Sequence, residues 1–386
     1  MSMAESAPAH DSDRHATRVP NPYESKEKEL DELLAIVADA AAFSPPLYPN
    51  SILGHPWTWF PPHPDTSEFS AVNLRQLLQS FQYLLDVSVP AFPFALPKYL
   101  PGIGDAVFWR PTTVLFEPGV DYDPYAFPEE AWIFINGIAT NERVSRINAK
   151  YLVTLFHRPL TIIQNATDSI GVDLFESVIG KAWEVHTEPA AKAYPFIHRA
   201  LHDPEKKRVV VICHSQGTII MSNVLRALLN DDHRDLLDAA GRRAGDMEGG
   251  DACHPLEDPE HLKKLEIYAF ANAATLMCYM PGFETAQGHP VPWIENFGNE
   301  YDLVARTGML APKKKERGIV IDGGNYVKQG MWGHVLNAHY LFGIHDHLKD
   351  PERCGNDYRL QEGDESGAPE RPRLYDYYGG ETPPPY

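Results

Sequence analysis

One stretch near the middle of the chain constrains the fold more than any other. Residues 209–212 read Val-Val-Val-Ile and end in small and polar residues, and an apolar-periodic segment follows. The β-branched run is typical of a buried strand, whereas the spacing of the later apolar residues is typical of a helix. That helical set comprises Ile219, Ile220, Met221, Val224, Leu225 and Leu228. The pattern therefore predicts a strand that turns sharply at Ser215 and enters a helix.

Similar strand and helix patterns alternate from about residue 112 onward. The candidate strands are 113–117, 131–138, 160–165, 208–213, 265–271, 293–299 and 318–322. The candidate helices are 140–157, 172–184, 188–202, 217–230 and 335–348. Short β-branched strands between helices predict an α/β fold, with a mostly parallel sheet covered by helices on both faces.

The sequence divides the chain into this core and three further regions. Residues 1–25 are expected to be disordered, and residues 26–111 to form a helical, proline-rich extension with helices near 26–43 and 72–87. The core is expected to span 112–349, with insertions near 231–262 and 276–292. Residues 350–386 are rich in Pro, Gly, Asp and Glu, which predicts a disordered acidic tail.

Composition excludes several classes of partner. The 386 residues carry a net charge of −19, so the chain lacks the basic field that nucleic acid requires.

The four cysteines are widely spaced, which argues against a disulfide framework. The first 21 residues have no apolar stretch typical of a secretory signal, and no run reaches the roughly 18 apolar residues of a membrane span. We therefore expect a cytoplasmic protein without an integral membrane segment.

The turn at Ser215 has the layout that nucleophilic catalysis needs. Cys213 and Gly217, two positions before and after the serine, are small and allow strand and helix to approach closely. A serine lifted out of such a turn can attack a carbonyl carbon if a base and oxyanion donors lie beside it. The alternative is an ordinary strand-to-helix junction in which Ser215 only caps the helix. Cys213 is expected to be a packing residue.

The segment His214-Ser215-Gln216-Gly217 resembles the nucleophile elbow of the α/β-hydrolase superfamily, in particular of its lipase-like serine esterases. The resemblance spans roughly residues 112–348 and implies an α/β-hydrolase fold. It also implies that the backbone N–H of Gln216 donates to the oxyanion. The second donor implied is Ile138, because Asn136-Gly137 stands where relatives often carry His-Gly.

The resemblance further implies the chain order serine, acid, histidine. Asp302 follows the candidate strand 293–299 and is the expected acid, with Glu295 and Glu300 as competitors; a simple capping role for Asp302 is the alternative. Two histidines compete as the base. His334 follows Gly333 ahead of the last helical pattern and is favoured over His339, which would lie about one turn inside that helix.

Asn136, Gly137 and His214 are expected on the substrate side of the site. Met280 lies in the apolar stretch 276–283, which could form an acyl-binding wall or lid, or equally a buried loop. His345-Asp346-His347 is not expected to bind a metal, since side chains two apart on a helix diverge. No metal and no cofactor are therefore expected.

These features together predict a serine esterase acting on a small ester or lipid-like substrate. Acyl transfer by the same residues and a non-catalytic binding protein remain the alternatives. Oligomeric state, acyl group and alcohol are left open by the sequence.

Overall fold

The computed structural model describes four parts of the chain. They are residues 53–80, with gaps at 69, 73–74 and 76–77; 112–165, with gaps at 120–122, 124 and 138–139; 188–230, with 234–235, 238–239 and 242; and 258–386, with gaps at 313 and 353–356. The predicted helices 26–43 and 172–184 lie outside these residues, as does most of the helix predicted near 72–87.

Among the described residues, ten strands form a main sheet and a small second sheet. They are β1 (Thr113–Glu117), β2 (Glu130–Ile135), β3 (Leu160–Gln164), β4 (Arg208–His214), β5 (Leu265–Phe270), β6 (Leu276–Met277), β7 (Trp293–Asn299), β8 (Val320–Ile321), β9 (Gly324–Lys328) and β10 (Arg359–Leu360). The main sheet has the order β1-β3-β2-β4-β5-β7-β9-β10. Its six inner strands run parallel, and the two edge strands are antiparallel to their neighbours.

Helices cover both faces of this sheet, so the predicted α/β architecture is confirmed. They are α1 (Glu142–Phe156), α2 (Glu188–His202), α3 (Gln216–Leu229) and α4 (Phe342–Lys349), with a π-helical turn at Leu336–Leu341 leading directly into α4. Within the described part of the chain, no helix has the length and apolar character to cross a bilayer.

Side chains along β4 alternate between the two faces of the sheet, so this strand contributes to the hydrophobic core on each face. Val209 and Val211 pack with α2 and α3, whereas Val210 and Ile212 pack with α1 and the C-terminal residues. All four are fully buried. Burying a side chain of this size contributes about 1.5–3 kcal/mol, so β4 is firmly held and its carboxyl end is a fixed point for the site.

The prediction that residues 318–322 form the last strand of the sheet is wrong. Only Val320–Ile321 is extended there, and it pairs with β6 in the separate two-stranded sheet. The last parallel strand is β9, which pairs with β7. Its sequence, Gly-Asn-Tyr-Val-Lys, has too few apolar residues to display a strand pattern.

The prediction of a disordered tail is also wrong for residues 357–386. This segment contains β10 and a 3₁₀ helix, Arg373–Gly380, whose Leu374, Tyr375 and Tyr377 are buried in the core on the α1 face. Its acidic and proline-rich composition masked these aromatic residues, which supply the apolar surface that ordering requires.

Two arginines, one of them fully buried, fasten this C-terminal segment at the end of the sheet away from Ser215. The fully buried Arg158 pairs with Glu130 at 2.8 Å and donates to the carbonyl of Glu381 at 3.0 Å and to Thr382 Oγ1 at 2.8 Å. Arg208 donates likewise to the carbonyl of Pro383. Because buried charge is stable only when paired and hydrogen-bonded, these carbonyls are integral to the fold.

Candidate active site

The strand-to-helix turn holds Ser215 in a strained conformation. β4 ends at His214 and α3 begins at Gln216, and Ser215 between them has φ 58° and ψ −125°. A residue with a side chain rarely adopts such a positive φ, and the strain costs about 1–3 kcal/mol. The turn is held from both sides, since Ser215 N–H donates to the carbonyl of Phe270 at 2.9 Å and its carbonyl accepts from Thr218 N–H at 2.9 Å.

Gly217 and Cys213 allow this close approach, as the sequence predicted. A Cβ at Gly217 would overlap the carbonyl oxygen of Ile135 in β2, so glycine is required there. Cys213 is fully buried, with its Sγ 3.8 Å from the carbonyl oxygen of Tyr268. Burial raises the pKa of this thiol, which keeps it protonated and makes Cys213 a packing residue.

His334 lies between Ser215 and Asp302. Its Nε2 is 2.8 Å from Ser215 Oγ, and its Nδ1 is 2.8 Å from Asp302 Oδ2. An ionised carboxylate only accepts, so Nδ1 carries the proton and Nε2 accepts from the serine hydroxyl. Ser215 and Asp302 are fully buried and His334 is 7% exposed, so the three groups interact away from bulk water.

Asp302 is positioned by the turn that follows β7. Its Oδ1 accepts the N–H of Val304 at 2.8 Å, and its Oδ2 accepts the hydroxyl of Tyr340 at 2.6 Å in addition to His334. The two competing acids, Glu295 and Glu300, make their hydrogen bonds to other parts of the chain. Glu295 accepts the N–H groups of Arg373 and Leu374 in the C-terminal segment, and Glu300 accepts the N–H of Gly330.

His339 lies beside the row formed by Ser215, His334 and Asp302, and its ring makes hydrogen bonds to other residues. Its Nδ1 accepts the N–H of Val335 at 2.9 Å, and its Nε2 is 3.3 Å from Thr58 Oγ1. Burial is the main cause that lowers the pKa of His339 to about 3, so the ring is neutral at ordinary pH. The structure thus brings His334, and not His339, into hydrogen-bond contact with Ser215.

His214 supports the backbone of His334. The two rings are stacked with centroids 4.7 Å apart, and His214 Nε2–H donates to the carbonyl of His334 at 2.8 Å. Burial, followed by the neighbouring His334, lowers the pKa of His214 well below its ordinary value. Its ring is therefore a neutral donor that holds the loop carrying His334, although the sequence predicted a substrate contact.

The loop after β2 passes directly against Ser215. A Cβ at Gly137 would lie 2.6 Å from the carbonyl oxygen of His214 and 3.1 Å from Ser215 Oγ. Gln216 N–H belongs to the first turn of α3, where amides have no intrahelical acceptor. Ile138, the other expected oxyanion donor, lies outside the described residues.

Asn136 ties this loop to the neighbouring strand. Its Nδ2 donates to the carbonyl of Asn165 at 3.0 Å, and its Oδ1 accepts the N–H of Asn165 at 2.7 Å. Asn165 Nδ2 in turn donates to Gln216 Oε1 at 2.6 Å. The amide of Asn136 is thus occupied by backbone contacts, and its role is to align the ends of β2, β3 and β4.

Met280 lies in a turn between β6 and β7. Its N–H donates to the carbonyl of Val291 at 2.7 Å, and its half-buried side chain packs against the core on the α2 and α3 face. These contacts show that Met280 packs against the core, and its part in an acyl-binding wall stays a prediction.

Comparisons with protein-family models, curated proteins and solved structures found no match.

Two features of the site geometry carried no local sequence signal. Tyr340 donates its hydroxyl to Asp302, and Glu68 accepts the N–H of Asn337 in the segment that follows His334. Among the described residues, no group of three or more His, Cys, Asp and Glu side chains is arranged to hold a metal ion.

Proposed function

We propose that this protein is a serine hydrolase that cleaves carboxylic esters through an acyl-enzyme on Ser215. The observation that carries the proposal is the position of His334, 2.8 Å from both Ser215 Oγ and Asp302 Oδ2. A hydroxyl, a neutral imidazole and a buried carboxylate in this order form the arrangement that activates serine in unrelated hydrolases.

In the proposed reaction, Ser215 Oγ attacks the ester carbonyl while its proton moves to His334 Nε2. Asp302 stabilises the resulting imidazolium through Nδ1–H. The tetrahedral oxyanion accepts the N–H of Gln216 and, as the sequence predicts, that of Ile138. His334 then gives its proton to the departing alcohol. It afterwards removes a proton from the water that attacks the acyl-enzyme, and returns that proton to Ser215 Oγ as the carboxylic acid leaves.

The strained turn supports this assignment. A non-glycine residue held at φ 58° is costly and persists where the surrounding structure enforces it. Ser215 and Asp302 are fully buried and His334 is 7% exposed, so bulk water is kept away and the electrostatic interactions among them are strengthened. No metal ion or cofactor takes part in the proposed steps.

The order of the elements supports an α/β-hydrolase fold as part of the same proposal. Ser215 follows β4, Asp302 follows β7 and His334 follows β9, and these three strands are parallel members of one sheet. Their carboxyl ends therefore lie at one edge, where open α/β folds bind ligands. We infer a small ester or a lipid-like ester as the substrate class.

The decisive experiment is labelling with a fluorophosphonate probe followed by peptide mapping. We expect modification of Ser215, and loss of p-nitrophenyl ester turnover by at least about 1000-fold in Ser215→Ala with the fold intact. Ser222→Ala, which removes a hydroxyl from the same helix, is the matched control and should keep its activity. An unlabelled Ser215, or full turnover by Ser215→Ala, would show that the protein is instead a binding protein or uses another site.

A further inference from the structure

The N-terminal segment, residues 53–68, packs against the segment that carries His334. Glu68 is 1% exposed, and its carboxylate reaches across to the π-helical turn at Leu336–Leu341. Oε1 accepts the N–H of Asn337 at 2.7 Å, and Oε2 faces the N–H of Ala338 at 3.2 Å. These amides belong to the first turn of the helix, where no intrahelical acceptor exists. Glu68 therefore caps the helix that begins two residues after His334.

Further contacts hold the same two segments together. Asn337 Nδ2 donates to the carbonyl of Thr66 at 2.7 Å, and the same side chain faces the carbonyl of Ile147 in α1 at 3.3 Å. Asn337 is thereby fixed on both its backbone and its side chain. The turn that follows His334 is consequently immobilised by residues that lie more than 260 positions earlier in the chain.

His339 provides a second point of attachment. Its ring accepts the N–H of Val335, the residue next to His334, and faces Thr58 Oγ1 in the N-terminal segment. A Cβ at Gly54 would overlap this ring, and one at Gly333 would lie 2.6 Å from its Cγ. The ring therefore occupies a slot between two glycines, one from each segment.

Burying the carboxylate of Glu68 costs free energy, which argues that this side chain does more than fill space. Desolvation by burial raises the pKa of Glu68 to about 7, and the hydrogen bonds from Asn337 and Ala338 partly offset this rise. An apolar side chain would avoid that cost but would leave both amides without an acceptor.

We propose that Glu68 is a positioning residue for His334, and that the N-terminal segment is part of the active site. By holding the amides of Asn337 and Ala338, Glu68 fixes the turn from which the ring of His334 reaches both Ser215 and Asp302. The inference deepens the proposed hydrolase function and rests on it for the role of His334 as base. A displacement of about 1 Å at such a group lowers turnover by about 100-fold.

The test compares Glu68→Ala and Glu68→Gln in the full chain, with Asp65→Asn as the matched control on an exposed carboxylate of the same segment. For each variant, kcat and KM are measured with a p-nitrophenyl ester at pH 8. Proton NMR in parallel follows the downfield resonance of His334 Nδ1–H, assigned by its loss in His334→Asn. This resonance reports the hydrogen bond to Asp302 whether or not the ester is a substrate.

We expect Glu68→Ala to lower kcat by about 10- to 100-fold with KM changed less than about 2-fold. Its Nδ1–H resonance should broaden through faster exchange with water. Glu68→Gln, which keeps one acceptor oxygen, should be intermediate, and Asp65→Asn should match the wild type. Should the alanine variant not fold, the glutamine variant alone decides, since both readouts apply to it.

An unchanged resonance together with unchanged kcat in folded Glu68 variants would overturn the positioning role, even if Ser215 is labelled normally. If the wild type neither reacts with fluorophosphonate nor turns over esters, the hydrolase proposal fails. In that case a broadened resonance in Glu68→Ala still supports the structural coupling, and an unchanged one rejects it.

Discussion

Tyr340 donates its hydroxyl to Asp302 Oδ2 at 2.6 Å, the same oxygen that His334 Nδ1 contacts at 2.8 Å. Burial, followed by the charge of Asp302, raises the pKa of Tyr340 well above its ordinary value, so the phenol stays protonated and donates. Two donors on one oxygen fix the direction from which the carboxylate meets the imidazole ring. Tyr340 is thus a further determinant of the geometry at His334.

Replacing Tyr340 with Phe should lower kcat by about 10- to 100-fold, because a hydrogen bond to a charged group is worth about 1.5–3 kcal/mol. Steady-state kinetics with a p-nitrophenyl ester measures the loss. Tyr358→Phe is the matched control, since it removes a buried hydroxyl that donates to Asn299 Oδ1 instead. Equal losses in the two variants would mean that the contact with Asp302 has no special importance.

The two histidines should respond differently to substitution by Asn. His334→Asn removes the group that contacts Ser215, and we expect turnover to fall by at least about 1000-fold. His339→Asn retains an oxygen near the position of Nδ1, which can still accept the N–H of Val335, and should keep most of the activity.

The pH profile provides an independent check on this assignment. With a pKa of about 3, His339 is neutral throughout the range above about pH 4, so it cannot produce an acid limb near neutrality. The acid limb of kcat/KM should therefore have the same midpoint in the wild type and in His339→Asn. A limb that disappears in His339→Asn would identify His339 as the base.

Gly137→Ala should abolish turnover while leaving the protein folded. The added methyl would press on the carbonyl of His214 and on Ser215, and would force the loop away from the nucleophile. Gly343→Ala in α4 is the control, because its methyl would meet the end of the Lys328 side chain in β9 and no atom of the site. Turnover and thermal unfolding are measured on both, and an active Gly137→Ala enzyme would contradict the close approach of loop and serine.

Glu295 should make the stability of the fold depend on pH. Burial is the main cause that raises its pKa from 4.5 to about 8, while the N–H groups of Arg373 and Leu374 lower it. Between those values the unfolded chain has lost the proton that the folded protein retains. The contribution of Glu295 to the free energy of unfolding is therefore full below about pH 4.5 and falls as pH rises toward 8, by up to a few kcal/mol.

Urea unfolding at pH 5 and pH 8.5 tests this sign. The stability of the wild type relative to Glu295→Gln should be higher at pH 5 than at pH 8.5. The same substitution at the exposed Glu260 serves as the control. A difference that grows with pH would show that Glu295 is held as a carboxylate, with its pKa lowered.

Local sequence patterns were sufficient for the elements with continuous apolar signals. The strand predicted at 293–299 has the bounds of β7, and the run 209–212 lies inside β4 as expected. β9 carried no such signal, because its residues are held by pairing with β7 on one side and β10 on the other. A strand specified by its neighbours cannot be recognised from its own five residues.

The site likewise contains residues that local sequence patterns predicted and residues that they did not. The positions of Ser215 and Asp302 after strands of the sheet could be predicted, because parallel strands bring their carboxyl ends to one edge. His334 was expected to follow a strand at 318–322 and instead follows β9. The contact of Glu68 with Asn337 joins residues 269 positions apart and leaves no periodicity to detect. Ile138 stays a prediction, as does the role of each residue in catalysis.

The contacts of Arg158 have a consequence for synthesis of the chain. The arginine and its partner Glu130 belong to early elements, but the carbonyl of Glu381 that completes its coordination lies 223 residues later. A ribosome adding about 5–20 residues per second needs roughly 10 to 45 seconds to reach it. During that interval the nascent chain carries an incompletely satisfied guanidinium beside its first strands. The sheet therefore acquires its final stability only after residues 381–384 have been added.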